Sequence, residues 1–244
     1  MYPQLSAWPD QLDRNDLIQP TELPADQRAA ALFRLGEFGR AESLLIAHLA
    51  DLDGPQQLSP LALLAWMRLE NRDLSGFQSV FRILQRSWPD QPEVRALLFK
   101  FLLITGRGHS IVSSSSEFES FTDFHQRLIF KLLHAEWLIL CGRLPEARSW
   151  LDQSVQDQSL EASILAARCI KAEGNLLEAL GCFTALLERA PSYLQLWLYA
   201  LETALDAKHS DAVLALARRA LQRFGETPRL LQHLTSIKTL QRQP

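Results

Sequence analysis

The sequence predicts an all-α protein, an array of antiparallel helix pairs that ends in a single C-terminal capping helix. The first observation is a small residue followed four positions later by a large apolar one, at Ala41/Leu45, Gly76/Val80, Ala147/Leu151, Ala179/Phe183 and Ala212/Leu216. The second is their spacing, which is about 34 residues, or about twice that where one copy is degenerate. Such a period is typical of helical-repeat proteins, in which each pair buries its apolar face against its neighbours.

The chain divides into three predicted segments. Residues 1–23 contain Pro3, Pro9 and Pro20 with weak periodicity, and we expect an extended or partly ordered lead-in. Residues 24–226 form the helical array. Residues 227–244 form a capping helix and tail, because the apolar positions from Leu230 to Leu240 follow a helical spacing with polar residues between them. A single terminal helix would cover the apolar face that the last pair leaves exposed.

Proline and glycine mark the helix ends within the array. Pro24 suits a first helical turn, since a proline lacks the N–H that would be unpaired there. Gly36 ends this helix, and the later helices are predicted over 40–52, 59–69, 74–87, 92–104, 160–172, 176–189 and 193–224, the last range holding a pair.

One segment interrupts this rhythm between Gly106 and Ser116. Ser116 and Glu119 fit a capping box, which predicts a distorted second helix from residue 117 after a flexible loop. Its aromatic set could be an exposed anchor for a partner or, more commonly, core; the set is Phe118, Phe121, Phe124 and Phe130. The Ser113–Ser116 run could be a phosphorylated regulatory loop or a plain linker.

Composition argues against several classes of protein. A net charge of −3 and a pI near 6.1 lack the basic footprint of a dedicated nucleic-acid binder. The N-terminus does not read as a secretory signal, and no apolar run reaches the ~18 residues of a membrane span. We therefore expect a cytoplasmic protein. Its three cysteines match no zinc or disulfide pattern and predict buried free thiols; they are Cys141, Cys169 and Cys182.

Catalytic motifs are missing from the sequence. The six histidines do not form a His-Glu-x-x-His pair, Gly106–His109 lacks the end of a phosphate loop, and no Gly-x-Ser-x-Gly elbow occurs. We predict a protein that is not an enzyme and that holds no cofactor or metal.

The cleanest copy of the repeat, over 160–191, resembles the tetratricopeptide repeat (TPR) family. The residues that carry the resemblance are Gly174, Leu176, Ala179, Phe183 and Pro191, repeated by Gly142, Leu144, Ala147 and Leu151. It extends over about residues 22–226 as six degenerate repeats. The family implies a right-handed superhelix whose concave surface is lined by the first helix of each pair, and a protein that holds peptides, helices or domains.

The family register projects a set of residues onto that concave surface. They are Phe33, Arg34, Leu61, Arg68, Lys100, Glu136, Arg168, Lys171 and Trp197. This predicts a groove that is apolar at both ends and basic between them, suited to an acidic or amphipathic peptide or helix. The Lys/Asn clamp with which some TPR adaptors grip a C-terminal carboxylate is absent, since Leu61, Ala96, Leu132 and Ile164 occupy the lysine-type positions.

The leading functional prediction is a non-enzymatic interaction module that binds another protein in the concave groove, as an adaptor, a secretion-type chaperone or an assembly factor. It requires that the concave face is not filled by the chain's own residues. The alternative is the recognition arm of a glycosyl- or other transferase whose catalytic domain lies elsewhere. RNA binding is the weakest prediction because the chain is acidic, and a homo-oligomer is left open.

Overall fold

The structure is a computed structural model of the 244-residue chain, and it describes residues 23–107, 124–151 and 159–240. The predicted lead-in lies almost wholly outside these ranges, since residues 1–22 are not among them. The capping box at Ser116, the Ser113–Ser116 run, Phe118 and Phe121 also lie outside the described residues.

The described residues form helices and no strand. The helices are α1 (Ala25–Arg34), α2 (Phe38–Ala50), α3 (Leu58–Glu70), α4 (Leu74–Ser87), α5 (Pro92–Ile104), α6 (Phe124–Leu140), α7 (Leu144–Trp150), α8 (Leu160–Ala172), α9 (Leu176–Arg189), α10 (Leu194–Asp206), α11 (Ser210–Phe224) and α12 (Pro228–Leu240). A short 3₁₀ helix, Gly54–Gln57, leads into α3. The prediction of an all-α fold is confirmed.

A left-handed residue follows the first helix of each pair, two positions after its last residue. These residues are Gly36, Arg72, Gly106, Gly142, Gly174 and Lys208, with φ between 54° and 88°. The N–H of the next residue then bonds back across the helix end, as from Glu37 to the Leu32 carbonyl at 2.9 Å. This is a Schellman motif, which satisfies carbonyls that the helix end leaves unpaired. The turns set six repeats in register, the third at Gly106, where the small-residue pattern is degenerate.

Three of the five small residues lie buried at helix–helix contacts, as the sequence predicts, and Gly76 and Ala212 are half-buried. Ala41, Ala147 and Ala179 are fully buried, and Leu45 and Phe183 beside them are equally inaccessible. Where both helices of a pair are described they pack together, and the first helices from α1 to α8 also pack against one another in succession, as α3 does on α5 and α5 on α6. The core is therefore continuous along the array, and α12 extends it by packing on α10.

The array closes on itself, because the first pair contacts the beginning of α10. The guanidinium of Arg34 lies 5.5 Å from the ring centre of Tyr193. A Cβ added to Gly36 would lie 2.5 Å from Cδ2 of Leu194, so the Leu194 side chain packs tightly against the turn at Gly36. We call these contacts, between Arg34 and Gly36 on one side and Tyr193 and Leu194 on the other, the closure.

Two side-chain expectations are resolved by burial. Phe130 is 2% exposed and belongs to the core, as the core alternative for the aromatic set predicted. The expectation of three buried thiols is wrong for Cys141, which is exposed because it lies in the turn after α6; Cys169 is buried and Cys182 is half-buried.

No helix among the described residues is long and apolar enough to cross a lipid bilayer.

Candidate partner-binding site

Four charged side chains from successive first helices meet at the centre of the concave face. The Lys100 ammonium on α5 lies 2.8 Å from Oε2 of Glu136 on α6 and 3.2 Å from Oε1 of Glu70 at the end of α3. Nη1 of Arg168 on α8 donates to Oε1 of Glu136 at 3.2 Å. We call Glu70, Lys100, Glu136 and Arg168 the charge chain; it joins four helices with alternating sign.

Mutual pairing keeps this buried chain ionised. Burial alone would raise the pKa of Glu136, but Lys100 and Arg168 outweigh it and lower that pKa to about 2. Burial would likewise lower the pKa of Lys100, yet Glu136 and Glu70 raise it above its ordinary value. Ions buried in this way are stable only when their partners and hydrogen bonds are in place, so the chain acts as a structural element of the fold.

Aromatic rings and further ion pairs extend the chain to both sides. The Lys100 ammonium lies 5.2 Å from the ring centre of Trp66, and the Arg168 guanidinium lies 5.5 Å from that of Tyr199 on α10. Nζ of Lys171 lies 2.8 Å from Oδ2 of Asp206, which ties α8 to α10. Cation–π contacts of this kind are strongest where water is excluded.

The nine residues predicted for the groove fall into separate environments. Lys100, Glu136 and Arg168 come together in the charge chain. Arg68 donates to Glu42 at 2.8 Å and to the Gly76 carbonyl at 2.8 Å, which holds α3 against its neighbours, and Lys171 reaches α10. Phe33 and Arg34 lie near the closure.

Leu61 and Trp197 are buried apolar members of the set. They are 7% and 2% exposed, and the indole N–H of Trp197 donates to the Pro191 carbonyl at 2.9 Å. Both lie eleven residues before a left-handed turn residue, so they share a register position that faces the core. Arg34 and Lys100 are as little exposed, at 4% and 7%. Partner binding by the nine residues stays a prediction.

The charge chain lines the centre of the concave face, and its cations are paired with its own carboxylates, so the predicted basic middle of the groove is largely neutralised. A cavity of about 380 Å³ lies beside the charge chain and is lined also by Glu161, Tyr193 and Tyr199. Burial raises the pKa of Glu161, and its Oε1 has no hydrogen-bond partner among the described residues. We call this space the inner cavity.

A second space opens next to the closure, between α1, α12 and the turns after α1 and α3. It measures about 740 Å³, and its walls include Phe33, Phe38, Arg40, Arg72 and Arg229. The rings of Phe33 and Phe38 meet edge to face at 6.2 Å. Glu70, Arg72 and Arg229 line both spaces, so this entrance cleft leads into the inner cavity.

Sequence reasoning missed Glu70, Arg72, Glu161, Tyr193, Tyr199 and Arg229. A signal did exist for the charge chain, because Lys100, Glu136 and Arg168 each lie six residues before a turn glycine and alternate in sign. Opposite charges at one position of adjacent repeats indicate pairing between repeats. No comparable signal marks Arg229, which reaches the site because α12 packs on α10.

The described residues contain no cluster of three or more histidine, cysteine, aspartate or glutamate side chains that could hold a metal ion.

No family model matches the chain, and no curated protein is similar to it at the level required for a match. Among solved structures, the chain is similar to a thermophilic TPR protein of Thermus thermophilus, with 16% sequence identity and a TM-score of 0.43. The match covers 88% of this chain and 97% of that one. The fold assignment rests instead on the molecule itself: paired helices, left-handed turns and buried small residues give this chain a TPR-like helical-repeat fold.

Proposed function

We propose that this chain is a non-enzymatic protein-interaction module that binds a segment of another protein in the entrance cleft. Helical-repeat arrays commonly bind partners on the surfaces that their repeats build together. In this chain the cations at the centre of the concave face are paired within the charge chain, whereas the entrance cleft carries exposed cations such as Arg40.

The make-up of the cleft carries the proposal. Phe33 and Phe38 give it an apolar floor, while Arg40, Arg72 and Arg229 place cations around it. Arg40 is 56% exposed and pairs only distantly with Glu37, at 3.9 Å. The volume falls within the usual range of binding pockets. A peptide with one apolar anchor flanked by acidic residues matches this combination.

A helix lying along the whole concave face is disfavoured by the charge chain. A ligand that paired its own charges with Lys100 or Glu136 would have to displace them from each other, and removing one member of a buried ion pair costs about 3–5 kcal/mol. Entry at the cleft leaves these pairs intact. The partner is therefore a short extended segment or the end of a helix.

The proposal includes a cytoplasmic role as an adaptor, a chaperone or an assembly factor, and the identity of the partner decides between them. The transferase-arm alternative needs a catalytic domain outside the described residues and gains no support from them.

Selection of displayed random 12-residue peptides against the immobilised chain tests the proposal. We expect the selected peptides to carry an apolar residue next to Asp or Glu. Fluorescence anisotropy then measures their affinity for Arg40→Glu and Arg229→Glu variants. Each charge reversal should weaken binding at least about tenfold, or about 1.4 kcal/mol, by turning an attraction into a repulsion.

Arg86→Glu is the matched control, because Arg86 is an exposed arginine on α4 and lines neither space. It should leave affinity unchanged. Selected peptides that bind all three variants equally would show that the cleft is not the binding site.

A further inference from the structure

We propose that Arg72 and Arg229 form an oxyanion-binding site where the entrance cleft meets the inner cavity. Both side chains line both spaces. Arg72 lies in the turn between α3 and α4, and Arg229 lies in the first turn of α12, which packs on α10. The site therefore combines residues that are far apart in sequence.

The positive charges of these two guanidinium groups are not neutralised by neighbouring carboxylates among the described residues. The charge chain balances itself, with two carboxylates and two cations paired to each other. Nη1 of Arg72 donates to the Ile104 carbonyl at 3.4 Å, and Nη2 of Arg229 donates to Oε1 of Gln195. Within the described part of the chain, neither guanidinium has a carboxylate within 4.0 Å.

Their unused donors define the ligand. A guanidinium carries five N–H donors in a planar fork, which matches the oxygens of a carboxylate or a phosphate. Two further carboxylates line these spaces. Glu37 lies 3.9 Å from Arg40 in the entrance cleft. Glu161 lines the inner cavity, and burial raises its pKa, which weakens its negative charge as a competitor. The cavity of about 380 Å³ accommodates a small oxyanion.

Two helix N-termini add to the positive potential. Tyr193 precedes the first turn of α10 and lines the inner cavity, and no side chain caps the free N–H groups there. Pro228 begins α12 and lines the entrance cleft. The amino end of a helix carries about half a positive charge, which favours an anion.

Arg72 occupies a backbone position that disfavours it. Its φ is +62°, whereas four of the six equivalent turns have glycine. Left-handed geometry is costly for a residue with a Cβ, and such strain is commonly found at functional positions. Lys208 is the other exception, with φ of +54°, and it lines neither space. It therefore serves as a matched control.

Thermal unfolding in sodium phosphate, against sodium chloride at the same ionic strength, tests the site. A ligand that binds only the folded chain raises its Tm. We expect a saturable rise of about 2–4 °C for the original chain. Arg72→Gly and Arg229→Gln should lose this rise, and Lys208→Gly should keep it. Arg72→Gly should fold well, since glycine suits the left-handed turn.

A second arm uses an acetylated hexapeptide of Asp, Glu and Leu in place of phosphate, because the oxyanion could be free or could belong to a bound segment. A rise with phosphate that depends on Arg72 and Arg229 identifies a free anion. A rise with the hexapeptide alone, with the same dependence, identifies a carboxylate brought by a partner. Failure of both ligands, or equal rises in all variants, would overturn the site. The phosphate response needs no partner, so it is independent of the proposed interaction role.

Discussion

Lys100 and Glu136 are buried charges that each have two partners of opposite sign, and the stability of the fold depends on their ionisation. The ammonium of Lys100 lies between Glu70 and Glu136, and the carboxylate of Glu136 lies between Lys100 and Arg168. The sequence shows the alternation of sign from one repeat to the next. It does not show that the side chains are buried, because a charged helical position is usually solvated.

The stability of the protein should fall in acid because of Glu136. Its pKa is about 2 in the folded chain and 4.5 ordinarily. A carboxyl with a lowered pKa stabilises the fold fully above its unfolded pKa, and that stabilisation is lost as the pH falls from about 5 towards 2. The loss from this group should reach about 3 kcal/mol. Urea unfolding at a series of pH values measures it.

Glu136→Gln provides the control, because an amide cannot titrate and is nearly isosteric. We expect this variant to be less stable at neutral pH and to show a smaller loss of stability between pH 5 and pH 2. Parallel pH profiles for the variant and the original chain would contradict the assignment of acid sensitivity to Glu136.

At the scale of one helix, packing and capping decide where each element begins and what it touches. Ala179 on α9 is fully buried, whereas Ala185 on the same helix is exposed. The sequence identified Ala179 as a contact residue because the small position repeats from pair to pair. A small residue at such a position lets two helix backbones approach closely. Because each pair needs one, the small residue recurs once per repeat and the period can be seen in the sequence.

Ala179→Leu should overpack the contacts of α9 and lower the free energy of unfolding by about 1–3 kcal/mol. Ala185→Leu adds the same side chain to the same helix at an exposed site, so it should change stability by less than about 0.5 kcal/mol. Chemical denaturation of both variants makes the comparison. Equal effects at the two sites would mean that the packing register is wrong.

The start of α4 depends on a side-chain cap. Oδ1 of Asp73 accepts a hydrogen bond from the Gly76 N–H at 2.9 Å, and this bond is the main reason that the pKa of Asp73 is lowered. Asp73→Ala should cost about 1 kcal/mol, whereas Asp73→Asn keeps an acceptor and should cost much less. Thermal melts of the two variants measure the difference. An Asn variant as unstable as the Ala variant would rule out capping as the cause.

At the scale of the whole molecule, the closure brings the first pair against α10, and the entrance cleft lies next to it. The closure contacts link residues far apart in sequence, Arg34 with Tyr193 and Gly36 with Leu194. Contacts between neighbouring repeats join residues at a short and nearly constant separation in sequence, whereas the closure contacts do not. A repeat pattern therefore carries no information about them.

Gly36→Ala should destabilise the chain more than Gly174→Ala. Both glycines have positive φ, of 83° and 88°, so both substitutions introduce backbone strain. At Gly36 the new Cβ would also meet Leu194 at 2.5 Å, whereas at Gly174 it would meet nothing within 4 Å. Leu194 is 2% exposed and has little room to move. We expect an extra cost of about 1 kcal/mol at Gly36.

Urea unfolding of the two alanine variants measures this difference, and small-angle X-ray scattering reports whether the closure opens. An unchanged scattering profile is expected for Gly174→Ala. Equal destabilisation of the two variants would argue that the first pair does not pack on α10 in solution.

The sequence by itself determined the class of the fold, the number of repeats and most helix ends, because these follow from local signals: apolar periodicity, small contact residues, and the glycine or proline at each turn. It predicted Leu74–Ser87 and Pro92–Ile104 with the bounds that the structure has. Only the tertiary structure decided which charged residues are paired with each other and which remain available to bind a ligand. The curvature of the array sets whether Arg168 faces solvent or Glu136, and whether Arg229 approaches Arg72. That curvature is the sum of small packing angles between helices, which side-chain shape fixes only when all repeats are assembled.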